Sequence, residues 1–242
     1  MNMINLFHSL FAPPRHLILL VAAMWIGLTL AEKRAGRHGV SKDALNNIVS
    51  YSIVGYIIGG RMLFVIANLS AFTQSPLSLI SVNIDLFDPL GALVVAVLVG
   101  FIYGHRQKLP IWGTLDALTP FFATLAIGLS LALLADGTGF GIPTTLPWGV
   151  EKLDAKRHPI LIYELIASLL IFGLLWFQKS ESRPGILFLT FAALTAGSRL
   201  LLEAFHGDST LVFGQFRLEQ IAAWGILAVV FVTSESIHRK RS

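Results

Sequence analysis

The chain has 242 residues, of which 55% are hydrophobic and 13% charged, and its mean hydropathy is +0.72. A soluble domain carries roughly 25% charged residues, so a soluble globular chain is excluded, and this apolar content excludes a disordered one. There is no cysteine, which rules out disulfide frameworks, catalysis by a thiolate of the protein itself and cysteine metal sites.

What remains is an all-α polytopic membrane protein. A span needs about 20 mostly apolar residues, and seven stretches qualify: 17–32, 47–68, 89–104, 112–135, 160–178, 185–204 and 218–237. The segment from Met1 to Arg15 lacks a lysine- or arginine-rich region and an early small-residue cleavage site, so the first span is expected to be retained. The fourth span carries Asp116 and Pro120. One set of loops holds 11 basic residues and the other 5, with Arg61 and Arg199 inside spans. Basic loops stay cytoplasmic, so the N-terminus is expected outside and the C-terminus inside, with loops 69–88, 136–159 and 205–217 facing outward over the site. The net charge of +4 is read in the same way, and no nucleic-acid partner is expected.

Ionisable residues inside spans are costly and normally face the protein interior. The first is Arg61, after Gly55-Tyr56-Ile57-Ile58-Gly59-Gly60. Glycines four apart open a bare helix face to a second helix or to a lipid head group, and a guanidinium suits phosphate. Asp88-Pro89 reads as a turn and helix cap, or as a base near the surface. Asp116 reads as a helix N-terminal carboxylate. The stretch Ala135 to Thr144 is glycine-rich, and its amides offer an anion cradle if it is more than a turn.

His158-Pro159 then opens a span whose first turns hold Tyr163 and Glu164. That glutamate needs a cation, and Arg61 and Arg199 are the two available. Arg199 and Glu203 are i and i+4, so they share a helix face. His206-Gly207-Asp208 follows at the end of that span, where His206 is expected to be interfacial and solvated.

The order of these clusters resembles the prolipoprotein diacylglyceryl transferase family of bacterial inner-membrane enzymes, from about residue 20 to 237. The matching pieces are Glu32-Lys33-Arg34-Ala35-Gly36-Arg37, Val54 to Arg61, Phe140-Gly141-Ile142-Pro143-Thr144 with Leu146 to Val150, His158 to Glu164, and Arg199 to Asp208, with Gln220 in the last span. The resemblance implies transfer of the diacylglyceryl group of phosphatidylglycerol to the lipobox cysteine thiol of prolipoproteins. A thioether forms and glycerol 1-phosphate leaves, with no metal or organic cofactor. The attacking species is the substrate's thiolate, and cations must hold the phosphate charge as the bond breaks. Arg199, Glu203, His158 and Asp136 are then expected to be catalytic, with Asp88 a second stand-in base. Arg61, Gly59, Gly60, Gly141, Tyr163 and Glu164 are expected to bind the lipid and its phosphate, with the site facing the outer leaflet of the cytoplasmic (inner) membrane.

Four positions depart from the family pattern. Asp88-Pro89-Leu90 stands where the family has His-Gly-Gly, Ser130 stands near its arginine before the glycine-rich turn, Thr195 stands near its tyrosine, and His206 replaces an arginine. These departures keep a second reading open, a homologue that binds phospholipid or lipoprotein precursors without turnover. A transporter would also hold intramembrane charges, but the chain shows no inverted repeat and no paired broken helices.

Overall fold

The computed structural model describes residues 15–74, 86–178, 183–212 and 214–239. Residues 1–14, on which the expectation of a retained first span partly rests, and the 75–85 part of the first outward loop fall outside the described residues. Seven helices among the described residues are long and apolar enough to cross a membrane, and they match the seven expected spans within a few residues at each end. They are α1 (Arg15–Arg34), α2 (Lys42–Ala67), α4 (Pro89–Arg106), α5 (Ile111–Asp136), α6 (Ile160–Phe177), α7 (Ile186–Leu202) and α8 (Leu218–Arg239). A short helix, α3 (Leu69–Gln74), follows α2. Leu93, Val97, Phe101, Leu170, Leu174 and Phe231 are exposed on the outer faces, the surface that only a hydrocarbon solvent makes favourable.

The helix ends follow local chemistry. Ser41 Oγ accepts from the Ala44 amide at 3.1 Å to start α2. Asp88 accepts from the amides of Leu90 and Gly91, both at 3.1 Å, and Pro89 occupies the first turn of α4. Asp88 is therefore a cap, the first of its two expected roles.

Helix α5 is the central element and packs on α1, α6 and α7. Pro120 lies within it without ending it. Its missing N–H leaves the Asp116 carbonyl without an i+4 partner. The Asp116 side chain, 2% exposed, caps a different helix from the one expected. It accepts from the Gly185 amide at 2.6 Å and the Phe188 amide at 2.9 Å, at the start of α7. The N-terminal amides of a helix are orphan donors, and a carboxylate there also meets the positive end of the dipole. Asp116→Ala is expected to cost about 2–4 kcal/mol by stranding buried donors. A lowered thermal midpoint in detergent checks this, and an unchanged midpoint would show that the cap is dispensable.

The glycines of α2 serve packing. A Cβ on Gly55 would lie 2.9 Å from Val99 Cγ2, and one on Gly59 would lie 2.5 Å from Val95 Cβ, both on α4. Gly60 is covered by the Phe87 ring, 2.3 Å from where its Cβ would be. Helices α2 and α4 thus form a close pair that joins the bundle through contacts of α2 with α1 and α5.

Two small hairpins sit at the end of the bundle where α5 finishes and α6 begins, and where α7 finishes and α8 begins. They were not part of the all-helical expectation. In the first, β1 (Val150–Lys152) pairs antiparallel with β2 (Ala155–Arg157), turning through Leu153 and Asp154 at φ 52° and 55°. In the second, β3 (Leu211–Val212) pairs with β4 (Phe216–Arg217). Three-residue and two-residue strands fall below what hydrophobic periodicity detects.

Candidate active site

The two hairpin segments meet over the ends of α6, α7 and α8. The strand-like stretch at Gly141 bridges to His206, the Gly207 amide donates to the Phe140 carbonyl at 2.8 Å, and the Ile142 amide donates to the Phe205 carbonyl at 2.9 Å. Both crossing chains need glycine. A Cβ on Gly141 would lie 2.4 Å from the His158 carbonyl, and one on Gly207 would lie 2.9 Å from the Gly141 carbonyl. The glycines of this loop permit backbone approach. Its carbonyls, moreover, face cations: Lys152 Nζ donates to Gly137 O at 2.5 Å and Gly139 O at 2.7 Å, and Arg157 Nη1 donates to Gly141 O at 3.2 Å. Phe140 lies under the Arg157 guanidinium at 5.0 Å.

Beneath this crossing sits Arg199. Its guanidinium pairs with Glu164 from α6, with Glu203 one turn on at 3.5 Å, and with Glu219 of α8 at 3.7 Å. The i, i+4 geometry expected for Arg199 and Glu203 is present, and Arg199 is the cation that pairs with Glu164. Glu203 is fully buried, whereas the Arg199 side chain is 36% exposed. A planar fork with five N–H donors can face several carboxylates in fixed directions at once.

His206 completes the cluster and corrects the expectation of a solvated histidine, being only 8% exposed. Its Nε2 lies 3.1 Å from Glu164 Oε1 and its Nδ1 lies 3.1 Å from Asp208 Oδ1. Burial opposes its charge, but the hydrogen bonds to Glu164 and Asp208 outweigh that and hold its pKa above the ordinary imidazole value. Arg217 of β4 ties down the same turn through its Nη1. It donates to the Glu203 carbonyl, to the His206 carbonyl at 2.9 Å and to Ser209 Oγ at 2.7 Å.

A second polar group adjoins the first. His158 Nδ1 lies 3.3 Å from the Tyr163 hydroxyl, which accepts from Trp148 Nε1 at 2.8 Å. The Phe205 ring packs 5.1 Å from the His158 ring and 6.5 Å from that of Tyr163, joining this group to the His206 turn.

The structure therefore brings together Arg199, Glu203, Glu164, Tyr163, His158 and Gly141 from the expected set. Arg61, Gly59 and Gly60 lie in the α2–α4 pair, where Arg61 Nη1 donates to the Leu86 carbonyl at 2.7 Å and its guanidinium lies 5.8 Å from the Phe72 ring. Asp136 is exposed at the last turn of α5 and is not among the ion-pair partners of Arg199. Ser130 is buried, its Oγ 3.5 Å from Ser168 Oγ on α6, so α5 brings no cation at that position. Sequence reasoning missed Glu219 and Arg217. Arg217 entered only the count of loop cations, and Glu219, in the first turn of α8, had no reading of its own. A signal was present in the short Arg217–Glu219 spacing directly before an apolar span.

A bundle of seven helices long and apolar enough to cross a membrane, with the Arg199 cluster at one end beside two hairpins, defines a multi-pass membrane protein. The profile of the prolipoprotein diacylglyceryl transferase family matches residues 15–234, and the chain belongs to that family. It is similar to proteins named phosphatidylglycerol–prolipoprotein diacylglyceryl transferase. That of Clostridioides difficile is 28% identical over 232 residues, 90% of each chain. That of Trichormus variabilis is 26% identical over 226 residues, 85% of this chain and 79% of the relative. That of Thermotoga petrophila is 26% identical over 238 residues, 88% of this chain and 77% of the relative.

Proposed function

We propose that this chain transfers the diacylglyceryl group of phosphatidylglycerol to the lipobox cysteine thiol of a prolipoprotein. The observation that carries the reading is Arg199, a partly exposed guanidinium held by three carboxylates at the membrane edge. In the reaction, a C–S bond forms at the glyceryl carbon that carries the phosphate, the C–O bond to that phosphate breaks, and glycerol 1-phosphate leaves with the bonding electron pair. The thiol proton goes to a base, and His158, steadied by the Tyr163 hydroxyl, is the group we assign to it. Arg199 holds the charge that develops on the leaving phosphate, with Glu164 and Glu203 orienting it. Arg61 serves the lipid head group from the α2–α4 pair.

The excess of basic residues in the opposite loops supports a site at the outer leaflet of the inner membrane and a cytoplasmic C-terminus. The 136–159 segment and residues 205–212 and 214–217 then cover the site. Lipid donor and peptide acceptor both meet the enzyme there.

A second reading rests on α5, where a buried Ser130–Ser168 contact replaces a cation. It is a protein that binds phosphatidylglycerol or lipoprotein precursors without turnover. The deciding experiment combines purified protein, phosphatidylglycerol and a synthetic lipobox peptide. A mass gain of one diacylglyceryl unit on the cysteine, with released glycerol phosphate, is the expected result. Folded, lipid-bound protein that gives no product would establish the second reading.

A further inference from the structure

Glu164 Oε1 is shared. It accepts from Arg199 Nη1 and lies 3.1 Å from His206 Nε2. The other ring nitrogen of His206 lies 3.1 Å from Asp208 Oδ1. A neutral imidazole has one N–H, so one of these two carboxylate contacts would set a lone pair against an anion, offset at Nε2 only by Arg199 Nη1 at 3.4 Å, which leaves when Arg199 turns away. Only the imidazolium donates to both. The charges around it point the same way. Glu164 from α6, Glu203 and Asp208 from its own segment and Glu219 from α8 are four carboxylates. They surround two permanent cations, Arg199 of α7 and Arg217 of β4. Lys152 and Arg157 are turned to carbonyls of the glycine-rich loop, and His158 stands beyond Phe205. The four carboxylates and two arginines sum to two net negative charges with neutral His206, and the imidazolium lowers that to one where an anionic phosphate has to enter.

We propose that His206, as an imidazolium, takes over Glu164 when Arg199 turns from that carboxylate to the phosphate of the lipid, which makes His206 a positioning residue for Arg199. The inference rests on the phosphatidylglycerol reading above. Arg199 is the cation of the cluster placed to move, being 36% exposed, while its partners Glu203 and Glu164 are 0% and 13% exposed and Glu219 is 40%. With the imidazolium in place, release of Glu164 does not leave this largely shielded carboxylate without a cation. The position where the resemblance implies an arginine thus keeps its charge and acquires a pH dependence.

The test compares the full-length wild type with H206R and H206Q in nanodiscs containing phosphatidylglycerol, over about pH 5.5 to 9. Two quantities are read, phosphatidylglycerol binding and transfer to a lipobox peptide. In the wild type, binding weakens as pH rises through the held-up imidazole pKa, by about tenfold per pH unit above it. Ionisation of the substrate thiol raises transfer over the same range, so the wild-type transfer profile is bell-shaped. H206R loses the alkaline fall in both readouts and shows only the thiol's rise. H206Q binds weakly at every pH, about tenfold or more below the wild type at the acid end. A third readout is independent of lipid. The thermal midpoint of the wild type falls relative to H206R as pH rises, because a raised native pKa gives stability that is present below the ordinary imidazole pKa and lost through the native one. An alkaline fall in binding that persists in H206R overturns the proposal. Wild-type protein that binds with the stated pH profile but makes no product overturns the transfer reading and leaves the hand-off standing.

Discussion

Arg199→Ala is expected to lower kcat for diacylglyceryl transfer by about 10²–10³-fold, the usual loss when one preorganised charge stabiliser is removed. Its guanidinium also pairs with buried Glu203 and with Glu164, so the alanine variant loses stability as well. Arg199→Lys separates the two effects. The ammonium keeps the positive charge among Glu164, Glu203 and Glu219 but cannot reach all three from one planar group. The lysine variant is expected to fold, with a thermal midpoint near that of the wild type, and still to lose most of its kcat. Rates of thioether formation in vesicles, read beside the midpoint, check this. A lysine variant with wild-type turnover would remove the fork geometry from the mechanism.

Glu203→Ala is the second large effect. This carboxylate is fully buried one turn beyond Arg199, with Nε of the guanidinium 3.5 Å away and Glu219 beside it. Arg199 keeps two other carboxylate partners in the variant, so the cluster does not lose its pairing. It loses the contact that fixes the guanidinium plane from the side of its own helix. A displacement of about 1 Å in a positioned group costs about 10²-fold, and the loss is expected in kcat, with KM for phosphatidylglycerol little changed. Glu203→Gln keeps the volume and is expected to fall between the two. A large rise in KM with unchanged kcat would assign Glu203 to lipid binding instead.

The bundle was largely legible because a membrane span is a one-dimensional signal. Each of the seven helices needs only its own run of apolar residues, and bilayer thickness sets the length. Asp116 and Pro120 did not break the fourth span, since both are absorbed inside the protein, Asp116 as the cap of α7. The hairpins were missed because strands of two and three residues have no period to read. Within the site, the Arg199–Glu203 pair was visible because i, i+4 neighbours share a face whatever the tertiary fold. Glu164 was visible as a buried acid in need of a cation, but the choice between Arg61 and Arg199 was not. These two arginines lie on different helices, and a charge carries no address in the sequence.

What the sequence alone determined is everything that depends on local covalent order. It specified seven apolar spans, an absence of cysteine chemistry, the glycine faces, the Asp88 cap and the presence of a few ionisable groups in places where hydrocarbon excludes them. Tertiary structure decided which of those groups meet. It placed Arg199 with Glu164, Glu203 and Glu219, buried His206 between Glu164 and Asp208, and left Arg61 with Leu86 and Phe72 in a separate helix pair. The physical reason is that ion pairing and desolvation depend on distance and burial in space. Helix packing brings residues 164, 199, 206 and 219 within a few ångströms of one another, and no spacing along the chain encodes that.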